Sequence, residues 1–171
     1  CLNQQGEVAG YYYVAGYYFY SAFLREPDGQ ITSFAVPPPG PEAGSGTFGR
    51  SINRAGVVAS NFERDPKLQG RGLLRYPDGT ILDLPKSGFR TEIPHSINSS
   101  GDVTGIAIDK KGAYHGFASS ASGALVVFDA PDSVKDRKSA GTFPTAINFQ
   151  RIVAGYYTDA RGLNHGFEWT P

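Results

Sequence analysis

Apolar and polar residues alternate along this chain in runs of four to eight, and no run holds a 3.6-residue period over ten residues. The runs are rich in Val, Ile, Phe and Tyr, as in "EVAGYYYV" (7–14), "ILDLP" (81–85), "LVVFDAP" (125–131) and "IVAGYYTD" (152–159). β-Branched and aromatic residues at period two predict strands, and the absence of a helical period excludes helical repeats. The longest apolar run, "VAGYYYVAGYYFYSAFL" (8–24), is broken by Gly10 and Gly16. It reads as two strands joined by a turn, not as a membrane span, which needs roughly 18 apolar residues.

The strand pattern repeats. Four segments align at their openings: "LNQQGEVAG" (2–10), "INRAGVVAS" (52–60), "INSSGDVTG" (97–105) and "INFQRIVAG" (147–155). Each continues into a second run ("SAFLREP", "GRGLLRYP", "HGFASSA", "HGFEWTP"). The first three units add a tight turn ("PDGQ", "PDGT", "ASGA") and a third run ending at Pro37, Pro85 or Pro131. A fourth run ("GTFGRSIN", "RTEIPHSIN", "GTFPTAIN") leads into the following unit. Pro-Asp-Gly supplies a preset φ, a side chain that bonds its own backbone, and a residue that accepts positive φ. The Asn of each opening caps a bend whose Gly (Gly6, Gly56, Gly101) takes positive φ. Arg151 stands there in the fourth unit, so that turn is expected to manage without positive φ.

Antiparallel strands in fours, repeating every 45–50 residues, predict an all-β fold, a β-propeller-like array of about four four-stranded blades. A β-sandwich is the alternative. The units run approximately 2–51, 52–96, 97–146 and 147–171 in a single domain. Counting segments gives three, four, four and three, so the terminal blades are expected to be incomplete. Bare strand edges are pairing templates, which points to self-assembly by strand addition, head to tail, as a ring or filament. Val8, Tyr11, Phe167 and Trp169 are the expected assembly contacts. A fragment of a longer array is the other explanation of the same count.

"IN-x-x-G-x-V-x-G", "D-x-x-G-x-x-H-G-F", "DG…F-D-x-P" and "GT…AIN" together resemble the HAF-type extracellular repeats of bacterial secreted and envelope proteins. The resemblance covers essentially the whole chain and is best in the third and fourth units. The first two carry Ser21 and Arg71 at the His position. It implies a repetitive β fold and a place outside the cell or on a bacterial surface, and it carries no assigned chemistry.

Composition narrows the function further. Lys+Arg and Asp+Glu number 16 each, so the net charge is zero and nothing favours nucleic acid or an anionic membrane. Cys1, the lone cysteine, sits in the Ala146 position and reads as a small residue there, with lipidation of a mature terminus as the alternative. His115 and His165 each follow an aspartate by six residues (Asp109, Asp159). A pair that recurs in two units and is replaced in two others reads as turn chemistry: Asp caps, Gly turns, His opens the next strand. A hydrolase or metal-dependent enzyme using His165 and Asp159 is the least favoured reading. His95 reads as a strand-end surface residue. No nucleophile elbow, zinc motif or phosphate loop occurs, and no metal or cofactor is expected. The expected function is therefore a non-catalytic extracellular structural or interaction module. Its partners are itself, a glycan or another envelope protein. The tyrosines Tyr12, Tyr18, Tyr20, Tyr156 and Tyr157 are the candidate ligand surface, and a lectin-like, glycan-binding propeller is the alternative.

Overall fold

A computed structural model describes residues 1–16, 19–36, 46–64, 69–136, 138 and 140–171. Among these the fold is all β, with no helix. The strands form four antiparallel meanders. The first holds β1 (Val8–Val14), β2 (Phe19–Arg25) and β3 (Ile31–Phe34). The second holds β4 (Gly46–Ile52), β5 (Val58–Arg64), β6 (Gln69–Arg75) and β7 (Ile81–Asp83). The third holds β8 (Thr91–Ile97), β9 (Val103–Ile108), β10 (Tyr114–Ser119) and β11 (Leu125–Phe128). The fourth holds β12 (Thr142–Ile147), β13 (Val153–Thr158) and β14 (Asn164–Trp169). A single parallel bridge, Tyr20 to Gly46, joins the first two meanders into one seven-stranded sheet; the others are separate sheets. Hydrogen bonding thus groups each Ile-Asn opening with the strand before it.

The turns follow local chemistry. Asp28 and Asp78 accept from the amides of Gln30 and Thr80, both at 2.9 Å. Asn3, Asn53, Asn98 and Asn148 each use Oδ1 to accept two amides of their own turn, for example Ala55 and Val57 at 3.0 Å to Asn53. Arg151 corrects the expectation from sequence: its φ is +67°, like the glycines it replaces. The pair of amide bonds to Asn148 dictates this backbone, and the arginine accepts a conformation that costs a residue with a Cβ roughly 1–2 kcal/mol.

The strands that open the second, third and fourth meanders share a β-bulge, at Arg50, His95 and Thr145. Pro94 and Pro144 lie beside it, on strands that pair on one side only within their sheets, where a missing amide donor costs no ladder bond.

The meanders stack face to face. Period-two alternation gives each one a leading face, toward the preceding meander, and a trailing face, toward the following one. At the first junction Ala9 and Leu24 trail against Ile52 and Val58. At the second, Val57, Ala59 and Leu84 meet Ile97, Val103 and Phe117. At the third, Ala118 and Phe128 meet Ile147, Val153, Phe167 and Trp169. Ile52, Ile97 and Ile147 are buried at equivalent places, as the repeat predicts. Phe117 is fully buried, and burial of such a ring stabilises by about 2–3 kcal/mol. Gly116 of the "HGF" motif lets the Phe128 ring lie flat on β10: a Cβ there would come 2.7 Å from the ring.

Candidate functional site

The "D-x-x-G-x-x-H-G-F" hairpins bring histidine and aspartate together, yet most of their polar capacity goes to the turn. Asp109 Oδ1 accepts the amides of Lys111 and Ala113 at 2.8 and 2.9 Å; Asp159 Oδ1 accepts those of Arg161 and Leu163 at the same distances. Both carboxyls are held below their ordinary range. For Asp159 the Leu163 amide acts most strongly, followed by the His165 side chain. For Asp109, desolvation pushes upward, but the amides of Ala113, Lys111 and Gly112 and the nearby His115 outweigh it.

The two histidines then diverge. His165 Nε2 donates to Asp159 Oδ2 at 3.1 Å, and its ring stacks on Tyr157 at 5.2 Å. His115 instead donates from Nδ1 to Asp129 Oδ1 at 2.9 Å, packs on Phe89 at 4.9 Å and leaves Nε2 3.8 Å from Asp109 Oδ2. That nitrogen is buried and makes no hydrogen bond among the described residues. Among the described residues no three His, Cys, Asp or Glu side chains are placed to hold a metal ion. An open groove beside this pair is lined by Ser87, Gly88, Phe89, Asp109, Lys110 and Lys111. His95 is not a free surface residue: its Nδ1 donates to the Pro144 carbonyl at 2.7 Å, across the third junction.

A feature missed from sequence runs through all three junctions. Each turn asparagine donates its side-chain amide to the backbone carbonyl of the next unit's asparagine. Asn3 Nδ2 reaches Asn53 O at 2.9 Å, Asn53 Nδ2 reaches Asn98 O at 3.1 Å, and Asn98 Nδ2 reaches Asn148 O at 2.9 Å. One side chain therefore caps its own turn with oxygen and ties the next unit with nitrogen. Beside this ladder, Ser51 Oγ accepts from the Ile97 amide and Ser96 Oγ from the Ile147 amide, at 3.3 and 3.4 Å. Cys1 Sγ lies 3.9 Å from Ser51 Oγ at the first junction. The signal was present as an invariant Asn every 45–50 residues, but the turn alone explained it.

The candidate tyrosines and assembly contacts separate by face. Tyr11 and Tyr20 belong to the first junction, where Phe48 lies 5.0 and 4.9 Å from their rings and Arg50 lies over Tyr11. Tyr12 points the other way, exposed, with its hydroxyl 3.1 Å from Ser33 Oγ. Tyr156 is exposed on the trailing face of the fourth meander and stacks on Phe143 at 4.7 Å. Tyr157 covers His165, and Tyr18 lies outside the described residues. Phe167 and Trp169, expected as assembly contacts, are spent inside the chain: Trp169 stacks on Phe128 at 3.8 Å and 3°. Val8 is half-buried on the leading face of the first meander.

In comparisons with known proteins, no family model and no curated protein matched the chain.

Proposed function

We propose that this chain is a non-catalytic structural and interaction module, a β-propeller-like array of blades whose inner strands include β4, β8 and β12. The observation that carries the reading is the asparagine ladder, which joins unit to unit by the same bond at every junction. The histidine–aspartate pairs support it too, since their bonds serve turns and neighbouring rings. The resemblance to HAF-type extracellular repeats supports a place outside the cell or on a bacterial surface. Self-assembly head to tail by strand addition belongs to the same proposal. The test is a panel of chromogenic esters, phosphates and glycosides. No turnover is expected; turnover that Asp109→Ala or His165→Ala abolishes overturns the reading.

A lectin-like role is a second reading, favoured by the exposed rings of Tyr12 and Tyr156, which offer flat apolar surfaces with polar tips. A glycan array decides it: binding lost in Tyr12→Ala or Tyr156→Ala supports it, and no binding refutes it.

A further inference from the structure

We infer that the groove between residues 87–89 and the turn at 109–111 binds an anionic sugar, one hexuronate ring of an acidic glycan. The inference goes beyond the readings above, because it uses none of the tyrosines. Both walls lie in or beside the third meander, which the second and fourth meanders cover on either side.

One wall is Ser87, Gly88 and Phe89, in the segment that enters β8; the other is Asp109, Lys110 and Lys111, the turn between β9 and β10. The Arg90 amide donates to the Ile108 carbonyl at 2.8 Å and ties the walls together. The groove holds about 320 Å³. That is the low end of the roughly 300–1,000 Å³ of small-molecule sites, which suits a single sugar ring. The first wall is built before any ligand arrives. Buried Glu92 accepts from both the amide and the hydroxyl of Ser87, and Ser87 Oγ accepts from the Phe89 amide at 3.2 Å. The His115 ring, 4.9 Å away, fixes Phe89 further. A preformed ring face leaves little ordering cost for binding.

The polar groups without partners on these walls define the ligand. Lys110 and Lys111 are exposed and pair with no acid among the described residues. By contrast, Lys135 pairs with Asp129, and Arg161, in the matching turn of the fourth meander, pairs with Asp159. The stem of Lys138 lies against Gly112 of the same turn and adds a third cation. Positive charge gathered at one turn of a chain with zero net charge favours an anion there. Gly88, at φ +83°, has open space where a Cβ would stand, so a ligand can reach the backbone. Its amide meets no acceptor among the described residues. Asp109 Oδ1 is spent on its turn, but Oδ2 accepts no hydrogen bond among the described residues. Its neighbour His115 Nε2, 3.8 Å away, is buried and carries no proton in the neutral ring whose Nδ1 donates to Asp129. A hydroxyl donated from the groove satisfies Oδ2. A carboxylate for the lysines and the Gly88 amide, a C–H face for the Phe89 ring and a hydroxyl for Asp109 Oδ2 occur together on a hexuronate. A bare inorganic anion lacks the apolar face, and a neutral hexose lacks the charge.

The test is calorimetric titration of the chain with trigalacturonate, its methyl ester and inorganic phosphate. The acid should bind and the ester and phosphate should not, and binding should weaken as salt is raised from about 50 mM to about 500 mM. Lys110→Ala/Lys111→Ala changes two exposed side chains; it should weaken binding at least about tenfold with an unchanged circular dichroism spectrum. Phe89→Leu keeps the packing apolar but removes the ring face, and should weaken binding about threefold. No binding of the acid at about 10 mM refutes the site. Equal binding of the ester or of phosphate refutes the sugar-acid class. Binding that survives the lysine variant and is lost in Tyr12→Ala or Tyr156→Ala supports the lectin-like reading and refutes this groove. Each of these failures leaves intact the structural reading that the asparagine ladder carries.

Discussion

The asparagine ladder makes a quantitative claim that one substitution isolates. Asp in place of Asn53 keeps an oxygen for the Ala55 and Val57 amides, so the turn survives. It removes the amide that donates to Asn98 O at 3.1 Å. Asn53 is buried, so the change sets a carboxylate oxygen against a carbonyl oxygen in a water-poor junction. Loss of the bond costs about 1 kcal/mol, and the new carboxylate oxygen, left without a donor beside a carbonyl that keeps its Gly101 amide, costs a further 1–3 kcal/mol, together about 2–4 kcal/mol. Asn98→Asp should cost more, because Asn98 Nδ2 also donates to the Asp102 carboxylate at 2.8 Å. Asn148→Asp keeps its turn on an exposed site and should stay within about 0.5 kcal/mol at concentrations where the chain is a monomer. Urea unfolding followed by circular dichroism separates these. With a slope of about 2 kcal/mol per molar, Asn53→Asp should lower the midpoint by about 1–2 M while Asn148→Asp leaves it in place. Equal costs at positions 53 and 148, or a neutral Asn53→Asp, would refute the rung as the tie between units.

Three further outcomes follow from the same geometry. Arg151→Gly relieves a positive φ worth roughly 1–2 kcal/mol and gives up a long ion pair, 3.7 Å, with the buried Asp102 carboxylate, which keeps its bonds from Asn98 Nδ2 and the Ala121 amide, so the urea midpoint should not fall. Phe117→Ala should cost about 3–5 kcal/mol by the same assay, because its ring is fully buried in the second junction. Burial holds His95 below the usual histidine value of 6.5, against the pull of the Pro144 carbonyl and with help from Arg50. The unfolded chain then takes up the proton first, so stability falls as pH drops below that value. Asp109 and Asp159, held low, retain their contribution until much stronger acid. His95→Asn should flatten the loss of stability between about pH 7 and about pH 5; an unchanged slope would exclude His95 as its source.

Turn chemistry and strand identity were legible in the sequence because both are local. Asp28 and Asp78 bond amides two residues away, and Asn53 caps amides two and four residues on, so short windows contain the whole interaction. The period of 45–50 residues likewise needed no coordinates, and it placed Ile52, Ile97 and Ile147 in equivalent buried sites. The tertiary structure decided what lies across a junction. The nitrogen of Asn53 finds its acceptor 45 residues away, and no turn rule points there. Phe167 and Trp169 looked like terminal, available rings, but stacking of the fourth meander on the third turns them onto Phe128. Arg151 lacked the glycine signal, yet two amide bonds to Asn148 override its intrinsic preference. Tyr11 and Tyr12 are neighbours with the same side chain, both exposed; one ring meets Phe48 of the following meander and the other reaches Ser33 on the opposite face, because the sheet has two sides. Local bonds are written in adjacent residues, whereas burial depends on which sheet comes to lie against which face.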